Sequence, residues 1–239
     1  MSRPCRPRVL GHRGASGHAA ENSLEAFRLA RELGAEGIEL DVHATADGFL
    51  VVHHDPILHG GGRIRELRLD EVQSHGLANG EAIPTLEDVL AAVPELETWV
   101  EVKALAPEHD DRLIDLIAGA KGSKTCAIHS FDHRLIARIH RKRPTLRLGI
   151  LSTAYLLEPV RALQQTGATA LWQEWSLIDA ELVEIVHAAG AEVIAWTVND
   201  AEIARRLAAL GVDALCGNWP ERLAVIARER SERSNLERH

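Results

Sequence analysis

Cysteine is scarce in this chain, and the three present, Cys5, Cys126 and Cys216, stand far apart and are odd in number. Such spacing excludes a disulfide framework and a zinc-ligand pattern, and fits a reducing cytoplasm. Long apolar runs are also missing. No segment approaches the length that crosses a bilayer, and Met1 to Arg8, though basic, lacks the apolar stretch of a signal peptide, so neither secretion nor stable membrane insertion is expected. Nor is there an excess of positive charge: the formal net charge is -8. A nucleic-acid partner would call for a basic patch or stripe and is therefore not expected.

The chain has 239 residues, of which 46% are hydrophobic, enough for one large α/β domain and too few for two well-cored ones. Short apolar runs alternate with amphipathic stretches, the pattern of βαβ units around a parallel sheet. Eight strands are expected, near Val9–His12, Ile38–Ala44, Trp99–Lys103, Cys126–His129, Leu148–Leu151, Ala170–Gln173, Val193–Val198 and Ala214–Cys216. Leu50–His53 remains as an extra short strand. Eight parallel strands in a chain of this length predict a closed (β/α)8 TIM barrel. Between them, Leu113, Ile114 and Ile117, and likewise Leu135, Ile136 and Ile139, fall at helical spacing. Helix starts are expected at Asn22 or Ser23 and at Thr85, where Asp88 completes an approximate capping box. The first of these helices should end at Gly34.

From Asp55 to Ile83 the rhythm breaks around Gly60–Gly61–Gly62, Asn79–Gly80 and a short helical pattern near Leu67 to Val72. This stretch, about 55–83, is read as a small insertion after the second strand, of the kind that shapes access to a barrel's catalytic face. The single domain then covers 1–228, and 229–239 is a charged, frayed tail.

Chemistry-bearing residues gather at strand ends. The first strand finishes in Gly11–His12–Arg13–Gly14, placing an imidazole and a guanidinium where barrel active sites are assembled, although so short a motif is matched often by chance. On the second, period-two geometry puts Glu39, Asp41 and His43 on one face and Ile38, Leu40 and Val42 on the other. Carboxylates that point into a barrel are costly unless paired or bound to a cation, which indicates metal or phosphate chemistry. The third repeats the arrangement with Trp99, Glu101 and Lys103. Three oxygen ligands, Glu39, Asp41 and Glu101, with no cysteine nearby suit Mg²⁺ or Ca²⁺ better than zinc, and Lys103 can hold an anionic substrate oxygen. In Val51–Val52–His53–His54–Asp55–Pro56 one of two adjacent histidines can face the same site, and with His12 it would supply two near-neutral titrating groups. Trp172, Trp175, Trp196 and Trp219 fall near strand ends. Trp196 is the one expected to wall a small-ligand pocket. His129 and Gln173 are candidates for support of that site, whereas His59, His75, His109 and His187 are read as solvated.

Taken in order, Gly11–His12–Arg13–Gly14, Glu21–Asn22–Ser23, Glu39–Leu40–Asp41–Val42, Thr45–Ala46–Asp47–Gly48, His54–Asp55–Pro56, Ile83–Pro84–Thr85–Leu86, Glu101–Val102–Lys103, Ser130–Phe131 and Trp196–Thr197–Val198–Asn199 resemble the glycerophosphodiester phosphodiesterase family over about residues 9 to 220. The resemblance implies a TIM-type barrel, hydrolysis of small glycerophosphodiesters to sn-glycerol 3-phosphate and an alcohol, and a divalent cation at the positions of Glu39, Asp41 and Glu101. It further implies that His12 and His54 are the acid-base pair; Arg13 and Lys103 are expected from their own chemistry to neutralise the substrate phosphate, as a bidentate fork and a point charge. Two stretches depart from the family's pattern. Ile57–Leu58–His59–Gly60–Gly61–Gly62 replaces an arginine and paired threonines, and Cys216 and Asn218 stand where threonine and aspartate are common. Two alternatives remain: a lysophospholipase D-like or phosphoinositide phospholipase-like phosphodiesterase, and a non-catalytic barrel that binds a phosphorylated metabolite. The sequence leaves the number of subunits open.

Overall fold

Alternation of inward and outward side chains along short strands leads here to a closed ring. The computed structural model describes residues 6–122 and 125–236, and for 230–236 the backbone alone. Among these residues the strands are β1 (Arg8–His12), β2 (Gly37–Ala44), β3 (Leu50–Val52), β4 (Glu97–Ala104), β5 (Cys126–Ser130), β6 (Arg147–Ser152), β7 (Ala170–Glu174), β8 (Glu192–Trp196) and β9 (Ala214–Gly217). Parallel pairing runs β1, β2, β4, β5, β6, β7, β8, β9 and returns to β1, whose Leu10–His12 face Gly37–Glu39 while Arg8–Gly11 face Ala214–Gly217. The leftover strand predicted at Leu50–His53 is β3, antiparallel to β2 and outside the ring.

Helices follow the strands: α1 (Leu24–Glu32), α2 (Leu69–His75), α3 (Leu86–Ala92), α4 (Asp110–Gly119), α5 (His133–Lys142), α6 (Pro159–Thr166), α7 (Ala180–Ala188), α8 (Ala201–Leu210) and α9 (Pro220–Leu236). Of the two candidate starts of α1, Ser23 is the cap, accepting the Ala26 N–H, and the chain turns out at Gly34 with φ of 86°. Asn22 is released for another task. At α3, Thr85 and Asp88 form the expected reciprocal box. The backbone of α9 continues to Leu236, well into the stretch read as a frayed tail, and residues 237–239 of that stretch lie outside the described set. Cys5 lies outside it as well. Among the described residues no helix is long and apolar enough to cross a membrane.

Two apolar layers hold the barrel. Outward-facing Ile38, Leu40 and Val42 of β2 join Val100, Val102, Ile128 and Ile150 beneath the helices. Inward-facing Leu10, Trp99, Ala127, Leu151, Trp172, Ile194 and Cys216 fill the interior. Trp99 and Trp172 meet edge to face with centroids 5.2 Å apart. They fit because Gly149 has no side chain: a Cβ there would lie 2.9 Å from Trp99 Cζ3. Leu58, Ile64, Val72 and Ile83 of the insertion form a separate small core against Val51 of β3.

The first residues of alternate ring strands, Arg8, Glu97, Arg147 and Glu192, close the floor, in the way alternate strands of such barrels contribute one layer. Arg8 Nη1 and Arg147 Nη1 reach Glu97 at 2.5 and 2.6 Å, Trp99 Nε1 donates to Glu97 at 2.6 Å, and Arg8 Nη2 lies 3.0 Å from Glu192. Burial opposes ionisation of Glu97, but Arg147 and Arg8 hold its carboxyl below the usual range. Removing one partner of a buried ion pair leaves the others uncompensated. Glu97→Ala is therefore expected to lower unfolding free energy by about 3–5 kcal/mol, read by urea denaturation at pH 7. A loss under ~1 kcal/mol, the scale of a surface pair, would contradict this assignment.

Candidate active site

The pleat of β2 directs Glu39 and Asp41 inward, 2% and 1% exposed, and its register with β4 sets Glu101 beside Asp41. One oxygen from each of Glu39, Asp41 and Glu101 lies within 4.8 Å of the others. Lys103 Nζ sits 2.9 Å from Asp41 Oδ1 and 2.7 Å from Glu101 Oε1, and Arg13 Nε is 3.2 Å from Asp41 Oδ2. Asn22, freed from capping, donates from Nδ2 to Asp41 Oδ2 at 2.8 Å. Arg13 and Asn22 both hold left-handed backbone, with φ of 54° and 59°. Side chains other than glycine adopt that conformation at a cost, and such positions concentrate where function constrains the chain.

Charge does not balance in this cluster. Burial pushes the Glu39 carboxyl well above its ordinary range, aided by Asp41 and Glu101, and burial also raises Glu101. Asp41 goes the other way: burial opposes ionisation, but Lys103 and Arg13 bring it down to about 2. Lys103 is the close partner of both Asp41 Oδ1 and Glu101 Oε1, and a single ammonium leaves lone pairs on these oxygens free. Hard oxygen donors with spare lone pairs and surplus negative charge fit a divalent cation of the Mg²⁺ or Ca²⁺ type.

Two imidazoles approach from the sides. His12 Nδ1 lies 2.8 Å from Asn218 Oδ1, and its Nε2 is 4.0 Å from Glu39 Oε2. Burial, and then Arg13, lower its pKa to about 4. His54 Nδ1 pairs with Asp55 Oδ1 at 2.8 Å. Both line one cavity of about 100 Å³, together with Arg13, Glu39, Glu101 and Lys103. Of the adjacent histidines His53 does not line that cavity, and its Nδ1 faces the Asp55 carbonyl. His43, placed by sequence on the same face as the carboxylates, lines a neighbouring cavity with His54 and Lys103 rather than this one. Its Nε2 meets the His54 carbonyl at 3.0 Å, so it braces the loop that carries His54.

Trp196 lines the cavity, as its strand-end position suggests, stacked edge-on against Phe131 at 5.5 Å. Phe131, which ends the Ser130–Phe131 motif, lines it as well. Asn218, read as a lost acidic group, proves to be the residue that meets His12. The signal was available in barrel closure, because β9 must pair with β1 and thereby sets residue 218 beside residue 12. Two larger cavities adjoin, of about 480 and 840 Å³, and His54 lines both. His59 and His75 are exposed, as read from the sequence, and border the first; His109 is half-buried beside the second, and His187 Nε2 pairs with Asp213 at 2.9 Å.

A family model described as the glycerophosphoryl diester phosphodiesterase family matches residues 12–222. A glycerophosphodiester phosphodiesterase of Caldanaerobacter subterraneus is 32% identical over 92% of this chain and 98% of its own length. Among solved structures, a phosphodiesterase of Oleispira antarctica in complex with the product sn-glycerol-3-phosphate is 26% identical, with a TM-score of 0.85 over 92% of this chain and 96% of that one. A glycerophosphodiester phosphodiesterase of Parabacteroides distasonis gives the same score at 26% identity, over 95% and 98%.

The ion-pair geometry sets a pH dependence of stability. Asp41 has a folded pKa of about 2 against an ordinary 3.8, so its stabilising contribution is present above about pH 4 and lost as pH falls toward 2. Lys103→Met should lower the stability of the cation-free protein by about 3–5 kcal/mol at neutral pH. The difference from wild type should shrink between pH 4 and pH 2, as measured by chemical denaturation across that range. A difference independent of pH would rule out the pairing.

Proposed function

The chain belongs to the glycerophosphoryl diester phosphodiesterase family, whose hydrolysis of glycerophosphodiesters is its activity, and we propose that it catalyses this reaction with two imidazoles beside a divalent cation held by Glu39, Asp41 and Glu101. The observation that carries the reading is convergence: His12, Arg13, Glu39, His54, Glu101 and Lys103 come from four separate stretches of chain and line a single cavity. When bound, such a cation neutralises developing charge on phosphoryl oxygens and lowers the pKa of a nearby hydroxyl. The remaining tasks fall to the protein's own side chains.

Arg13 and Lys103 would hold the phosphate, the first as a planar fork and the second as a point charge. His12 is neutral at physiological pH, and with Nδ1–H donated to Asn218 Oδ1 its Nε2 carries a free lone pair. It can take the proton from a glycerol hydroxyl as that oxygen attacks phosphorus. His54 lines the reaction cavity and both larger ones, where there is room for the alcohol half of the substrate. In its protonated form it would pass a proton to the departing oxygen as the phosphorus–oxygen bond breaks. Water then opens the cyclic phosphate with the roles reversed, His54 accepting a proton from water and His12 returning one to the glycerol oxygen, which yields sn-glycerol 3-phosphate. Phe131 and Trp196 would wall the glycerol. Cys126 and Cys216 are both buried and free, which supports a cytoplasmic setting.

Release of sn-glycerol 3-phosphate from glycerophosphocholine should be abolished by EDTA and restored by Mg²⁺ or Ca²⁺. His12→Ala, His54→Ala and Glu39→Ala should each lose roughly 10² to 10⁴ in turnover. A 4-nitrophenyl diester needs no acid to expel its alcohol, so His54→Ala should recover most activity on it and His12→Ala should not. Equal losses on both substrates would reverse or void the assignment. Faster turnover of lysophosphatidylcholine than of glycerophosphocholine would favour the lipid-directed alternative.

A further inference from the structure

One interior side chain has no task in this scheme. His129, on β5, stands in register beside Glu101 and is 0% exposed. Its ring is fixed on two sides: the Trp172 centroid lies 4.2 Å away, and Trp99 is edge-on at 5.5 Å. Gly149 on the neighbouring strand leaves the space, since a Cβ there would come within 3.2 Å of His129 Cβ. Yet neither ring nitrogen has a hydrogen-bond partner. A buried polar group left unsatisfied is destabilising, a cost that an apolar residue in the same place would avoid. Such an exception in a packed interior calls for a functional reason.

The nearest charged group supplies one. His129 Nε2 is 3.9 Å from Glu39 Oε1, about 1 Å beyond an N–H···O bond. Glu39 is thus bracketed: Oε2 accepts the Arg13 backbone N–H at 3.2 Å and faces His12 Nε2 at 4.0 Å, while Oε1 faces His129. We propose that His129 is a positioning residue for Glu39, its Nε2–H being the donor that Glu39 Oε1 accepts once the three carboxylates hold a divalent cation. This rests on the cation reading given above. Carboxylates that ligate metals are themselves held by hydrogen bonds whose loss costs 10- to 100-fold in affinity.

Calorimetric titration of the cation-free protein with Mg²⁺ and with Ca²⁺ tests this separately from the parent reading. Wild type should bind and Asp41→Asn should not; unchanged binding by Asp41→Asn would overturn the cation site itself. Given that site, His129→Leu should bind 10- to 100-fold more weakly, and His129→Gln, which restores an N–H donor, should recover most of the loss. Thermal unfolding without cation should find His129→Leu at least as stable as wild type, since it removes an unsatisfied polar group. Equal affinity in wild type and both His129 variants, or a cation-free leucine variant that is markedly less stable or does not fold, would overturn the proposal.

Discussion

Three carboxylates held inside a closed barrel impose the constraint on which the rest of the structure turns. Water cannot reach them freely, and their mutual repulsion must be met by neighbouring positive charge. Lys103 and Arg13 meet part of it, while burial, with repulsion among the carboxylates behind it, holds Glu39 and Glu101 above their ordinary range. The distorted backbone at Arg13 and Asn22 follows from the same demand, because both residues must deliver groups to Asp41.

The two ends of the barrel make an instructive pair. At the floor, Glu97 is surrounded by Arg8, Arg147 and the Trp99 indole N–H, and its carboxyl is held below the ordinary range. Every charge there has a close opposite partner, which suits a structural layer. At the mouth, three carboxylates face two cationic side chains and both ring nitrogens of His129 lack a hydrogen-bond partner. A site that must accept a charged ligand has to leave such groups unsatisfied beforehand. Packing between the two layers keeps them independent: Trp99, Trp172 and Leu10 occupy the space between floor and mouth.

Much of the fold was legible because it rests on local periodicity. The alternation Glu39–Leu40–Asp41–Val42 fixed which side chains point inward, and the Thr85–Asp88 pair and Gly34 marked helix boundaries that the structure reproduces. Where periodicity failed, a non-local interaction had intervened. His43 Nε2 is engaged by the His54 carbonyl, 11 positions on, and its ring lines a neighbouring cavity instead of the one lined by Glu39 and Glu101. Ser23 rather than Asn22 became the helix cap because Asn22 is drawn to Asp41, 19 positions away. The polar end of the chain offered no apolar periodicity, yet its backbone remains helical to Leu236.

By itself the sequence determined the strand count, the inward set Glu39, Asp41 and Glu101, and the strand-end placement of His12 and His54, since all of these follow from residue order and a repeat of two. Only the tertiary structure decided that Asn218 meets His12, that His54 borders three cavities at once, and that His129 stands beside Glu39 without a hydrogen-bond partner. Those relations arise from ring closure and from which strand lies next to which, and residues more than 200 positions apart cannot be brought together by any local pattern.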